Sequence, residues 1–208
     1  MENSDLSRIY MHTFNGKRYY PFAPKAEDVS VDVIAHHLAN RARWAGATQS
    51  RLNPELIFYS VAEHSVYVSL YLEQVMQRPD LALAGLLHDA AEAYNGDLIR
   101  PLKYSPAFKE PFKAVEALNE AAVEEHFNIT VQMTDPAVKI ADDAVCNAEW
   151  QQIIPMDEET ASLGAQHHST EHVYPGTIIM LPPFVAKMFF LERYRVVLEN
   201  MNKGIAAE

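Results

Sequence analysis

Apolar positions along this chain recur mostly at helical spacing. Val31, Ile34, Ala35 and Leu38 follow Ser30 three or four residues apart, the period of one helix face. They predict a first helix that runs towards Ala42 and ends at Arg43-Trp44-Ala45-Gly46. A loop then passes through Asn53-Pro54. Ser60-Val61-Ala62-Glu63 reads as a capping box, Ser at the N-cap and Glu at N3, and opens a helix to about Met76 with His64 in its first turn. Asp80 is placed to cap the next helix. That helix carries the run Leu81-Ala82-Leu83-Ala84-Gly85-Leu86-Leu87, then His88-Asp89-Ala90-Ala91-Glu92, and stops at Asn95-Gly96.

Pro101, Pro106 and Pro111 make residues 97–111 an irregular connection, and Val115, Leu118, Ala122 and Val123 predict a helix from about Phe112 to Phe127. Asp135-Pro136 is an N-cap followed by proline at N1, starting a helix that reaches about Ile154. Residues 155–182 read as a long excursion, and a last helix spans about Pro183 to Met201. Near the N-terminus, Asn15-Gly16 between Thr13-Phe14 and Arg18-Tyr19-Tyr20 predicts a small β-hairpin over residues 12–22. With no repeats and no linker, the reading is one all-α domain over residues 1–208.

Composition narrows this little and excludes some functions. Apolar residues make up 49% of the 208 and Gly only seven, a balance that favours helices. A net charge of −11, from 17 basic and 28 acidic residues, argues against sequence-independent binding to polymeric nucleic acid. The single Cys146 excludes an intrachain disulfide and a thiolate metal cluster. Without a signal peptide or an apolar stretch of membrane-span length, the expectation is a cytoplasmic protein that does not enter a membrane.

The chemistry starts at His88-Asp89. With Glu92, it crowds ionisable groups at the end of a segment that otherwise reads as buried, and buried charge is costly unless paired or metal-bound. A short link through Pro79 makes the His64 and His88 helices antiparallel neighbours. That brings the start of one to the end of the other, so His64 and His88 should meet. On this helix His88 and Glu92, four residues apart, share a face, and Asp89 sits about 100° round, adjacent to both. Asp142 falls on the otherwise apolar stripe Val138, Ala141, Asp142, Val145, Ala148 and is the best fourth ligand, while Asp143 diverges from it and should be solvated. Two imidazoles and two carboxylates suit one divalent transition metal such as Mn, Co or Zn. Such an ion would polarise a phosphoryl group and activate water, with Glu92 orienting or deprotonating that water or protonating the leaving oxygen.

This pattern resembles the HD-domain superfamily of metal-dependent phosphohydrolases, in particular bacterial 5′-deoxynucleotidases and phage dATP triphosphohydrolases. The resemblance covers about residues 30–150. It rests on Ser60-Val61-Ala62-Glu63-His64-Ser65, Leu87-His88-Asp89-Ala90-Ala91-Glu92, Gly96-Asp97-Leu98, Pro101-Leu102-Lys103 and Val138-Lys139-Ile140-Ala141-Asp142. It implies an HD-domain helical bundle with His64, His88, Asp89 and Asp142 as metal ligands. It further implies Glu92 as the catalytic carboxylate and Asp97 as a second acidic residue near sugar and scissile phosphate. Arg43-Trp44 resembles the family's Arg-Trp pair, Arg on phosphate and Trp on the nucleoside, and Lys103 would be a second phosphate contact.

The implied substrate is a small deoxynucleotide, and the family is commonly homo-oligomeric. Nineteen residues separate Trp44 from His64, more than in the bacterial monophosphatases. The inserted Thr48 and Arg51 are placed to line the pocket, and Gly46-Ala47-Thr48 tilts the reading towards the triphosphohydrolases. The C-terminal extension, residues 155–208, matches no part of the pattern. Hydrolysis of a (p)ppGpp-type signalling nucleotide and a catalytically silent nucleotide-sensing domain are the alternatives. His36-His37 and His167-His168 lack acidic partners at helical spacing and should be surface or locally hydrogen-bonded residues. Phe189-Phe190 reads as core or dimer contact.

Overall fold

The computed structural model describes residues 5–164 and 171–205. Its fold is all-α apart from a two-stranded antiparallel hairpin, β1 (Met11–His12) and β2 (Arg18–Tyr19), with Met11 opposite Tyr19. The hairpin closes through a three-residue loop, Phe14-Asn15-Gly16, rather than a two-residue turn: Thr13 N–H donates to the Lys17 carbonyl at 3.0 Å. Gly16 takes φ +81°, the left-handed position such a loop needs.

The helices are α1 (Val31–Ala39), α2 (Val61–Leu70), α3 (Ala82–Leu87), α4 (Glu92–Asn95), α5 (Arg100–Lys103), α6 (Lys109–Phe127), α7 (Thr130–Met133), α8 (Pro136–Ile153), α9 (Glu158–Gly164) and α10 (Pro183–Ile205). α2 is the central element. Every residue from Val61 to Ser69 is buried, as expected of a helix enclosed on all sides, and it packs on α1, α3, α8 and α10. A wide π-turn, Tyr71–Val75, extends it to the predicted end. One apolar cluster gathers α1, α2, α3 and α10 through Ile34, Leu38, Val66, Leu86 and Phe190. The other joins α2 to α8 through Tyr67, Leu72, Val138 and Val145.

α3 lies close against α2 because Gly85 has no side chain: a Cβ there would stand 2.3 Å from Leu72 Cδ1. α10 locks the same junction with Arg193, which donates to Ser69 Oγ at 2.9 Å and to Glu73 Oε2 at 2.7 Å. Asp135 caps α8 as the sequence predicts, its side chain accepting from Ala137 N–H at 2.9 Å. Residues 97–111 are less irregular than predicted, since α5 forms within them and α6 begins at Lys109. Pro111 in the first turn of α6 removes an N–H that had no helical partner. Asn119, not Leu118, is the inward residue of α6: it is buried and accepts from Tyr19 O–H at 2.9 Å, which ties α6 to the hairpin.

Three local expectations change. Asp80 does not cap α3; it pairs with Arg78 at 2.7 Å, and Arg78 also reaches Asp135 at 2.9 Å. Ser60 does cap α2 by accepting from Glu63 N–H at 3.1 Å, but Glu63 does not complete a capping box. It is fully buried and accepts instead from Tyr67 O–H (2.8 Å), Met180 N–H (3.0 Å) and Leu181 N–H (2.7 Å). It thereby fastens the segment before α10 onto α2. The helix through His88 is also interrupted. Between α3 and α4 the backbone tightens to three-residue bonds, Ala90 N–H to Leu87 and Glu92 N–H to Asp89.

Candidate metal centre

The close α2–α3 contact and the α2–α8 contact bring three helices to one point. His64 Nε2 from α2 lies 3.3 Å from His88 Nε2 after α3. It is 3.2 Å from Asp142 Oδ1 on α8 and 3.9 Å from Asp89 Oδ2. His88 Nε2 lies 3.2 Å from Asp89 Oδ2 and 3.8 Å from Asp142 Oδ1. Bonds of about 2.0–2.2 Å to a divalent ion put neighbouring ligand atoms about 3–3.5 Å apart. His64, His88 and Asp89 form one group of ligand atoms that could hold a metal ion, and His64, Asp142 and Cys146 form a second that shares His64. Asp143 diverges as expected, 52% exposed and paired with Lys139 at 2.5 Å.

Both rings present Nε2 because Nδ1 is occupied. His88 Nδ1 donates to the Gly85 carbonyl at 2.8 Å, and His64 Nδ1 donates to Glu149 Oε1 at 2.5 Å. Such partners orient each ring so that Nε2 is the atom turned to the metal side. Glu149 is absent from the sequence reading, yet it is fully buried and takes four bonds. Besides His64, it accepts from Tyr59 O–H (2.9 Å), Trp44 Nε1 (2.7 Å) and Arg43 Nε (3.2 Å). A signal did exist: Glu149 follows Asp142 by seven residues on α8, two helical turns along the same face.

Electrostatics favour a cation at this point. Burial alone would raise the carboxyls of Asp89 and Asp142. The facing imidazoles outweigh it, joined by Arg43 at Asp89, and hold both below the ordinary carboxylate range. Burial opposes charge on His88, but Asp89 and Asp142 overcome it and keep its ring protonated well above the usual imidazole range. A proton on His88 is the smallest cation those carboxylates can hold.

The three-residue turn, in which Glu92 N–H donates to the Asp89 carbonyl at 3.0 Å, turns Glu92 towards Asp89. Burial, with Asp89 and Asp97 behind it, pushes the Glu92 carboxyl well above its ordinary range against the pull of Arg43 and Arg41. Its Oε2 is buried without a hydrogen-bond partner, as are Arg41 Nε and both amide atoms of Asn95. Arg41 lies against Gly96, whose φ is +84° and where a Cβ would stand 3.3 Å from Arg41 Nη1. Buried polar atoms are rarely left unpaired, so this cluster beside Asp89 is fitted to receive another polar group.

Arg43 and Trp44 stand beside the cage. Arg43 Nη1 reaches Asp89 Oδ2 at 3.3 Å and Nη2 reaches Cys146 Sγ at 3.1 Å. Trp44 and Ala45 take φ +54° and +52°, a left-handed pair that strains residues with a Cβ. Cys146 stands at the same point: burial pushes its thiol well above the usual range, it donates to Asp142 Oδ1 at 3.6 Å, and with His64 and Asp142 it forms a second group that could hold a metal ion. Lys103 is bound to Glu116 at 2.7 Å, and Asp97 is exposed on the loop after α4.

The inserted segment is arranged differently from the expectation. Thr48 is buried and donates to the Ile57 carbonyl at 2.8 Å, inside its own loop. Arg51 hydrogen-bonds the end of α8 at Gln152 and lines a surface groove with Trp150 and Asp157. His37 is bonded to distant residues rather than locally, Nδ1 to the Ala93 carbonyl at 2.8 Å and Nε2 accepting from Phe14 N–H at 3.2 Å, and His36 stacks on Phe14. His167-His168 lies outside the described residues.

The HD domain family model matches residues 61–175, more than half of the chain and all four cage residues. The chain belongs to this family of metal-dependent phosphohydrolases. It is 30% identical over 206 residues to the uncharacterized protein RCAP_rcc00048 of Rhodobacter capsulatus, covering 95% of this chain and 100% of that protein. It is also 30% identical over 197 residues to the uncharacterized protein YfdR of Escherichia coli K12, covering 91% and 96%. Arg43 and Trp44 fall before the matched span. Among the described residues, no helix is long and apolar enough to cross a membrane.

Proposed function

We propose that this protein hydrolyses a phosphate or triphosphate from a small deoxynucleotide, with a dATP-type substrate favoured. The observation that carries this reading is the set of unpartnered atoms on Glu92, Arg41 and Asn95 beside the cage. They offer two donors and two acceptors, the mixture a sugar hydroxyl uses, next to a site for phosphate. The favoured base and phosphate number follow from the likeness of Gly46-Ala47-Thr48 to the triphosphohydrolases.

His64, His88, Asp89 and Asp142 would hold one divalent metal of the Mn, Co or Zn type, which when bound supplies Lewis-acid polarisation of the phosphoryl oxygen. Glu92 moves the proton: its raised carboxyl either donates to the leaving oxygen or, ionised, accepts from the attacking water. Arg43 would hold a phosphate by exchanging its Asp89 or Cys146 contact for it. The Trp44 indole would offer a face to the base, Asp97 would meet the sugar, and Lys103, here paired with Glu116 at 2.7 Å, would be a second phosphate contact.

The experiment is a panel of ribo- and deoxynucleoside mono- and triphosphates, plus ppGpp, incubated with purified protein and Mn2+ or Co2+, with the products identified. Release of inorganic phosphate or triphosphate from a deoxynucleotide supports the proposal. Release of pyrophosphate from ppGpp alone replaces it with the signalling-nucleotide reading. No turnover of any nucleotide overturns it in favour of a silent domain.

A further inference from the structure

We propose that Glu149 is a positioning residue that couples the metal cage to the setting of the Arg43-Trp44 turn. The inference rests on family membership and the geometry of the cage, and not on which nucleotide is cleaved.

The two oxygens of this carboxylate do separate work. Oε1 takes His64 Nδ1 at 2.5 Å and Tyr59 O–H at 2.9 Å; Oε2 takes Trp44 Nε1 at 2.7 Å and Arg43 Nε at 3.2 Å. A carboxylate offers about four lone-pair sites, and all are filled by donors. No site is left for a proton, so the group acts only as an acceptor. Its side chain is fully buried, and water cannot replace any of the four bonds.

The bonds close a circuit. Glu149 holds His64, which faces Asp142; it also holds Arg43, whose Nη1 continues to Asp89 Oδ2 at 3.3 Å. Three of the four cage residues are thereby referred, directly or through one step, to one anionic group on α8. Trp44, which contributes no atom to the cage, is fixed by the second oxygen in a left-handed conformation its side chain disfavours. A cation at His64 Nε2 draws electron density from the ring and strengthens the Nδ1–H bond to Oε1. A cation at Asp89 weakens the pull on Arg43 Nη1. Both effects reach Oε2 and therefore the Trp44 indole.

Mn2+ titrated into the metal-free full-length protein tests this by calorimetry, and diamagnetic Zn2+ does so by the 15N-tryptophan NMR spectrum. The Trp44 indole signal is assigned by Trp44→Phe. In the wild type, the Trp44 indole N–H signal moves as metal binds. Glu149→Gln, which turns one acceptor into a donor, is expected to weaken metal binding about 10–100-fold and to uncouple the Trp44 signal from metal. Trp44→Phe keeps the carboxylate and every cage residue, so it reports even if Glu149→Gln does not fold. The expected result is metal binding weakened several-fold through loss of one Oε2 bond. Wild-type metal affinity in Trp44→Phe, or a Trp44 signal that tracks metal equally in Glu149→Gln, overturns the proposal. Absence of nucleotide hydrolysis would defeat the proposed function and leave these binding results intact.

Discussion

The Nε2 atoms of His64 and His88 stand 3.3 Å apart, although the residues belong to different helices. Their Nδ1 atoms are committed to Glu149 and to the Gly85 carbonyl, so each ring turns its Nε2 to the same point. Asp89 and Asp142 complete that point.

Loss of one cage carboxylate should therefore remove the metal and not merely slow the reaction. Asp89→Ala and Asp142→Ala are expected to lower metal affinity by at least the roughly 100-fold seen for the loss of a supporting partner. Elemental analysis after dialysis should find metal in the wild type and none in either variant. Each variant should also lose measurable phosphohydrolase activity.

Glu92→Gln separates chemistry from binding. In the proposed mechanism Glu92 takes the proton-transfer role and no ligand position, so metal affinity should persist while kcat falls on the order of 10²–10⁴-fold. Equal loss of metal affinity and rate would assign Glu92 to the cage instead.

The same residue gives a pH signature in the metal-free protein. Its carboxyl is raised in the fold by burial and by Asp89 and Asp97, so between the unfolded and folded pKa values the native state binds more protons. Stability from this group is full below the unfolded carboxyl range and is lost as pH rises towards the folded value. Glu92→Gln cannot ionise and escapes the loss. Thermal melts should show the variant gaining stability on the wild type at pH 8 relative to pH 4.

Glu63 is expected to be structural. Glu63→Ala leaves Met180 and Leu181 N–H groups, now paired at 3.0 and 2.7 Å, without an acceptor, at about 1–3 kcal/mol each. Hydrogen exchange should show residues 178–182 opening before the core of α2. Unchanged protection there would remove Glu63 from this role.

Gly85→Ala tests the spacing that assembles the site. The added Cβ meets Leu72 Cδ1 at 2.3 Å, and overpacking of this kind costs about 1–3 kcal/mol. Since Gly85 also supplies the carbonyl that orients His88, metal affinity should fall with stability. Adding Leu72→Ala should relieve the clash and recover much of the metal affinity, a coupling visible in a double-mutant cycle.

Much of the architecture is local information. The spacing of Val31, Ile34, Ala35 and Leu38 marks α1, Asp135-Pro136 marks the start of α8, and the apolar run before His88 marks a buried helix. These signals work because helix formation and capping depend on residues within a turn or two. The cage was legible for the same reason: a buried stripe cannot carry Asp89 or Asp142 without compensation, and a short link makes neighbouring helices antiparallel.

The tertiary structure decided what distant partners do. Glu63 left its capping box for backbone groups 117 and 118 residues away, and Glu149 met His64 across 85 residues. Thr48 turned into its own loop, and the backbone tightened after Leu87, where Glu92 N–H bonds the Asp89 carbonyl. A buried polar group takes the acceptor or donor that packing delivers, because leaving it unpaired costs more than abandoning a local preference. Local spacing therefore names the groups that must find partners in this protein, and only the packed helices determine which partners they find.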